Sequence, residues 1–365
     1  MVSSPMAVSP GETRVLRYCW RSLVCASLLF TVLIGGPIFA QETRYFRIGT
    51  AATGGSFFQI GGIVAGAISS PAEAPRCEQG GSCGVPGLVA VAQATPGSIE
   101  NLRLINDAQI ESGFAQADLA GWASEGVGAF ADSGPMLRLR AIASLFPEAA
   151  HLVVRADSPI HSLADLAGKR VSLGEEGSGT AADARVLLAA AGLGEHDLTR
   201  KYLRPGPSAE ELKTGSIDAL FLVGGTPIPA IRDLAASTPI RLIPFEGKLI
   251  DALKKDFGFY HRAVIPAGVY PGVDAETASL GFYALWLVNA DIDTGLVYAI
   301  TKSLWHERTA KLLATLDPIG RRMRLDQALN GVSVPLHPGA ERFYREAGLA
   351  VDSVPKLEAH EAKDK

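Results

Sequence analysis

Two short turns carry the groups in this chain best suited to chemistry: Thr53-Gly54-Gly55-Ser56 and Gly177-Ser178-Gly179-Thr180. Each pairs glycines, which let backbone come close to a guest, with hydroxyls that can cap a helix or meet a ligand. Each follows a strand-like run and opens a stretch of helical spacing. The first-turn N–H groups are therefore left open, and the helix dipole adds partial positive charge there. That combination attracts an anion, a carboxylate for instance. It is not phosphate-loop chemistry, because no Gly-Lys-Ser/Thr follows the glycines, and Gly49 to Gly55 lacks the dinucleotide-binding spacing. Gly-rich turns also commonly do no more than connect elements, so each is a weak signal unless both face one cleft.

Bond-breaking chemistry has little support. Ser178, His151 and Asp183 are the residue types of a hydrolytic triad, but Gly177-Ser178-Gly179 is not a nucleophile elbow. The seven histidines are isolated in sequence and no HExxH spacing occurs. No catalytic residue, metal or cofactor is expected.

The elements that must hold these turns alternate between strand and helix patterns, which argues an α/β architecture. Tyr45 to Ser70 reads as strand, turn and helix. Strands are expected over Leu88–Ala94, Ser112–Ala115, Leu137–Phe146, His151–Arg155, Arg170–Leu173 and Ala219–Val223. Helices are expected over Gly97–Ile105 with Ser98 as cap, after Gln116-Ala117-Asp118 with Asp118 as cap, over Ser162–Gly168, over Ala181–Ala191 stopped by Gly192, over Ala209–Thr214, and around Ile228–Ala236. Ala278 to Ala290 is an apolar core strand or helix, too short to span a membrane.

The first 40 residues read as an export signal. Arg14, Arg17 and Arg21 precede the uncharged run Ser22 to Ala40, which ends in small residues before Gln41 and Glu42. A retained membrane anchor is the alternative. The 365-residue chain has 34 basic against 38 acidic side chains, and it becomes more acidic once the leader is removed. No basic run offers phosphate contacts, so nucleic acid is not expected as a partner. Cys19 and Cys25 fall in the leader. Cys77 and Cys83 flank the flexible Glu78–Ser82 segment, and in an oxidising compartment they are expected to form a disulfide, a two-cysteine metal site being the weaker alternative.

A further set of short motifs runs in order through the chain: Ile48-Gly49-Thr50, Thr53-Gly54-Gly55, Gly97-Ser98-Ile99-Glu100-Asn101, Gly113 to Asp118, Arg140 to Leu145, Leu152 to Arg155, Gly177 to Thr180, Gly215 to Ala219, Gly224-Gly225-Thr226-Pro227, Ile265 to Tyr270 and His337 to Ala340. Together they resemble the TAXI family of TRAP-transporter solute receptors. The resemblance implies a two-lobe periplasmic-binding-protein fold, type II-like, each lobe a mainly parallel sheet flanked by helices. Lobe I would comprise 41–147 with 262–365 and lobe II 148–261, joined by a two-stranded hinge near Pro147–Leu152 and Tyr260–Ile265. It also implies a periplasmic, monomeric receptor that captures glutamate, glutamine or a 2-oxo or dicarboxylic acid for a TRAP membrane permease. An ABC carrier or a sensor kinase is the alternative partner, and a secreted hydrolase a more distant reading.

By the same resemblance the ligand-binding residues are Thr53, Gly54, Gly55, Ser56 and Phe57 or Phe58 in lobe I, with Gln116. In lobe II they are Ser178, Gly179 and Thr180, faced by Gly224, Gly225, Thr226 and Pro227. Phenylalanine stands where the family often has tyrosine, and Ala117 where it has serine, so two polar contacts are missing. Glu175 and Glu176 are expected to face solvent, or one of them to pair with an amine on the solute. Arg204 is a candidate carboxylate clamp or a surface residue. Tyr270 is a candidate for hinge packing or cleft wall.

Overall fold

The computed structural model describes residues 43–355 except 76, 246–249, 252 and 254–259. The expected leader, with Cys19 and Cys25, lies outside the described residues. Among those described, no helix is long and apolar enough to cross a membrane.

The chain is α/β, and the twelve strands among the described residues join one mixed sheet. β1 (Arg44–Gly49) lies between β4 (Leu88–Gln93) and β5 (Ser112–Gln116), parallel to both, and the tiny strands β2 (Ser69–Ser70) and β3 (Val85–Pro86) extend the β4 edge. Helix α1 (Ser56–Ile68) follows β1 and buries Phe57, Ile60, Val64 and Ile68 at helical spacing. α2 (Ser98–Asn106) connects β4 to β5, and α3 (Ala117–Glu125) leaves the end of β5.

Two long antiparallel strands, β6 (Leu139–Arg155) and β12 (Thr277–Asn289), run through the middle of the sheet. β5 pairs with residues 284–288 of β12, whereas β9 (Ala219–Gly224) pairs with residues 149–154 of β6. β7 (Arg170–Ser172) lies parallel to β9 and to β8 (Thr199–Lys201); β10 (Ile240–Leu242) and β11 (His261–Ile265) pair with β6 and β12. The helices of this second set are α4 (Gly179–Ala190), α5 (Pro205–Thr214) and α6 (Pro229–Ala235); α7 (Thr294–Leu304), α8 (Glu307–Leu316) and α9 (Pro338–Glu346) close the chain.

The core follows this division of the long strands. Leu139 to Phe146 join Phe46, Phe114, Trp286 and the C-terminal helices in one apolar cluster. Ala149 to Val154 enter two others, built almost wholly from residues 149–282. Phe57 holds the first cluster beside the pocket, edge-on to Phe114 at 5.7 Å and to Phe146 at 6.2 Å between ring centroids. Burying one such ring is worth about 2–3 kcal/mol.

Several sequence expectations need correction. The strands expected over 137–146 and 151–155 are one 17-residue strand that passes straight through Pro147. Proline cannot donate to a ladder and favours bulges, and the register shifts next to it, between Ala284 and Leu285 of the partner strand. Ser98 is the first helical residue, with Gly97 at the cap position, and its hydroxyl contacts Gln116 instead. Asp118 does not cap α3 either: Gln116 holds the cap position, and Asp118 is buried in the first turn. The disulfide between Cys77 and Cys83 is formed, with a Cα–Cα distance of 4.6 Å. Its loop docks on the C-terminal helices, where Arg308 Nη1 donates to Cys77 O at 2.5 Å and Ser303 Oγ to Cys83 O at 3.1 Å.

Candidate functional site

Both sequence-predicted turns border one small pocket. Asn101 sets up its first wall: fully buried, it donates through Nδ2 to Thr50 O at 2.6 Å and to Phe114 O at 2.8 Å, and accepts from Thr95 Oγ1 at 2.8 Å. One side chain thereby fixes the ends of β1 and β5 and the loop after β4. A Cβ on Gly49 would come within 2.6 Å of Asn101 Oδ1, so only glycine leaves room for this brace. The chain then turns through Gly54, at φ +89°, into α1.

The opposite wall is the start of α4. Ser178 caps it, its Oγ accepting from Ala181 N at 3.1 Å, and Thr180 Oγ1 accepts from Val223 N at 3.1 Å, locking the helix start against β9. The walls touch directly. Ser56 Oγ accepts from Gly225 N at 3.1 Å, Gly54 O from Ala230 N at 3.1 Å, and Gly177 O from Glu100 N at 3.3 Å. The remaining cavity is about 60 Å³, room for a few waters. The seam is shut.

Of the residues singled out in the sequence, Gly55, Ser56, Phe57, Gln116, Ser178, Gly179 and Thr180 line this pocket. Gly54 and Gly225 lie in the seam, the latter against Phe146 and Ile319. Thr53 is exposed, Phe58 is half-buried, and Thr226 and Pro227 sit beyond the lining, joined by a cis peptide bond just before Ile228, which does line it. Glu176 is exposed, whereas Glu175 lines the pocket and accepts from Arg204 Nε at 2.9 Å. Arg204 itself is two-thirds exposed and committed to Glu175.

Sequence reading missed the acid groups behind the pocket. Gln116 donates through Nε2 to Asp183 Oδ2 at 2.6 Å, and its Oε1 accepts from Ser98 Oγ at 3.3 Å. Asp118 on α3 lies near enough to Asp183 for each carboxyl to act on the other, and neither Asp118 oxygen has a hydrogen-bond partner among the described residues. Burial, then Asp118's charge, pushes Asp183 well above the ordinary carboxylate range, and burial likewise raises Asp118. Glu148, 3 % exposed, lines the pocket, and its Oε2 has no hydrogen-bond partner among the described residues. Burial first, and then Asp118's charge, raises it well above the ordinary glutamate range. The available signal was a lone glutamate inside the otherwise apolar run from Leu145 to Ala150. Among the described residues, no lysine, arginine or histidine lines the pocket.

His151 stands apart from Ser178 and is used structurally. Its Nδ1 bonds Ala149 O at 2.9 Å and its Nε2 lies 3.0 Å from Tyr270 Oη, which accepts from Ile228 N at 2.8 Å. Burial lowers His151 to about 4, so the ring is neutral, with Nδ1 donating and Nε2 accepting. Both nitrogens are occupied, and no relay to Ser178 forms through them. Tyr270 is fully buried and outside the lining, which settles it as packing beside the long strands. Tyr270→Phe is expected to cost about 1–3 kcal/mol, by stranding the Ile228 amide and His151 Nε2. Urea unfolding within 0.5 kcal/mol of the parent, roughly the size of a neutral surface change, would contradict that role.

The fold is an α/β one, a mixed sheet carried on two long strands with a small pocket between the first turns of α1 and α4. The chain belongs to the NMT1-like family, whose model matches residues 48–348. Among solved structures it is similar to the periplasmic aliphatic sulphonate binding protein SsuA from Escherichia coli, at 16% identity over 86% of this chain and 80% of that one, TM-score 0.40. It is also similar to the alkanesulfonate-binding protein SsuA from Xanthomonas axonopodis pv. citri, bound to MOPS, at 18% identity over 83% and 84%, TM-score 0.43. A structure described as a periplasmic transporter matches at 16% identity over 84% and 94%, TM-score 0.45.

Proposed function

We propose that this chain is an exported, monomeric solute receptor of a TRAP-type carrier, closing two lobes over a small carboxylate-bearing solute. In this reading lobe I is built from residues up to 147 together with those from 262 onward, and lobe II from 148–261. The hinge in this reading is two-stranded, near Pro147–Leu152 and Tyr260–Ile265. The observation that carries the proposal is the pocket itself, walled by the first turn of α1 on one side and of α4 on the other. Hydrogen bonds such as Ser56 to Gly225 are made only when the walls meet. A guest that adds contacts to the shut form would shift an open population toward it. The open first-turn amides of α1 and α4 are suited to a carboxylate of the glutamate, glutamine, 2-oxo acid or dicarboxylate class.

The test is a thermal-shift screen of the purified chain over amino acids, 2-oxo acids and dicarboxylates. A hit should raise the melting temperature and be recovered unaltered. No hit in any class, or consumption of the hit, would overturn the receptor reading. With a hit in hand, uptake into vesicles that needs the chain and an ion gradient but not ATP is expected. ATP dependence would assign the chain to an ABC carrier instead.

A further inference from the structure

The pocket contains an acid group, Glu148, and among the described residues no lysine, arginine or histidine lines the pocket to neutralise it. Glu148 stands on β6 at the point where the strand passes from one apolar cluster to the next, paired in register with Phe282. It lines the cavity, it is 97% removed from solvent, and its Oε2 is buried with no hydrogen-bond partner among the described residues. The titratable groups that share its surroundings are Asp118 on α3 and Asp183 on α4. Glu175, on the loop before α4, also lines the cavity, and among the described residues it pairs with the largely exposed Arg204.

A buried carboxylate without a partner costs several kcal/mol, so the site must be matched by positive charge or by a proton. A metal ion fits poorly. Among the described residues, the one set of three ligand atoms lying within 4.8 Å of one another is Cys77, Cys83 and His306, whose cysteines are bonded to each other.

We propose that the solute presents a protonated nitrogen, an ammonium or amidinium, to Glu148, so that aminated solutes are taken and purely anionic acids are refused. This rests on the receptor reading above and chooses among the solutes that reading allows. The first-turn amides of α1 and α4 other than Ala181 N, which Ser178 Oγ caps, are placed to hold a carboxylate on the same molecule, while the acid group at Glu148 selects for the amine. In the empty pocket Glu148 keeps its proton. Arrival of the cation makes the ionised form the favoured one, and the proton leaves to solvent as the ion pair forms.

The proposal is tested with three probe sets on the purified chain at pH 7.5: amines without carboxylate such as ethanolamine, amino acids such as glutamate and alanine, and purely anionic acids such as succinate and 2-oxoglutarate. Shifts confined to probes with a protonated nitrogen are expected. Succinate or 2-oxoglutarate binding as tightly as the best amine would overturn the proposal while leaving the receptor reading intact, and silence from all three sets would remove both. Titration calorimetry of the best probe in two buffers of different ionisation enthalpy should show proton release, and proton uptake would count against the assignment. Glu148→Gln, checked for native circular dichroism, should weaken the aminated probe at least tenfold and abolish the proton release. Unchanged affinity in that variant would overturn the proposal, and the wild-type proton count decides it independently if the variant fails to fold.

Discussion

Replacing Gly179 with alanine is expected to abolish solute binding, raising the dissociation constant at least a hundredfold, while both halves of the chain still fold. Gly179 is the first residue of α4, and a Cβ built on it would fall on Gln116 Oε1 and within 2.8 Å of Ser98 Oγ. Gln116 cannot easily step aside. Its Nε2 is held by Asp183 and its backbone amide by Ser98, so moving it would unmake a buried network whose members are costly to leave unpaired. Gly179 carries no positive φ, so alanine introduces no backbone strain within α4 itself. In the proposed two-lobe reading the added methyl acts as a wedge between the two walls and penalises the shut form alone. Binding that draws on closure loses the whole of that penalty. Affinity for the best hit within threefold of the parent would show that the seam does not close through Gly179. Small-angle scattering should report the variant as the more extended molecule in saturating solute.

The second large effect is on the pH dependence of stability. Asp183 is buried with its charged form disfavoured, so its native pKa stands well above the unfolded value near 4. Between those two values the folded chain keeps a proton that the unfolded chain has released. Stability therefore falls as pH climbs through that window. Asp183→Asn removes the titration while keeping the Gln116 contact, because its amide oxygen can still accept from Gln116 Nε2. The variant is expected to be more stable than the parent by about 1–3 kcal/mol at pH 8, with the difference shrinking toward pH 4.

His151 supplies the opposite limb. Its pKa is about 4 in the folded chain against about 6.5 unfolded, so the unfolded chain binds the proton first as pH drops. Stability is lost between those values, by up to about 3 kcal/mol, and Asp183→Asn should leave this acid limb in place. Chemical denaturation of both proteins from pH 4.5 to 8.5 gives the answer. Parallel curves across the neutral and alkaline range would mean that Asp183 titrates as an ordinary surface acid.

Much of the scaffold could be read from residue patterns, because the relevant physics is local. Val89 and Val91 alternate with small residues in β4, the short helix expected over 162–168 forms with Ser162 and Asp165 capping it reciprocally, and Gly192 takes the positive φ that ends α4. The same holds for the two glycine turns, whose open helix starts follow from spacing alone. The Cys77–Cys83 bond follows from a flexible five-residue separation. Pro147 misled for an equally local reason. It is a strand breaker by itself, and only pairing with β12, with a shifted register beside it, lets β6 continue through it.

The sequence by itself determined an α/β chain with two amide-rich corners, since short-range periodicity, caps and turns are enough to specify both. Tertiary structure alone decided that Gln116 on one wall would bond Asp183 on the other, and that Glu148 would stand beside the cavity with its Oε2 unpartnered among the described residues. Asp118, Glu148 and Asp183 are separated by tens of residues and lie on three different elements. No sequence window can show that they share a low-dielectric space, where the cost of an unmatched charge, negligible in water, dictates what a guest must bring.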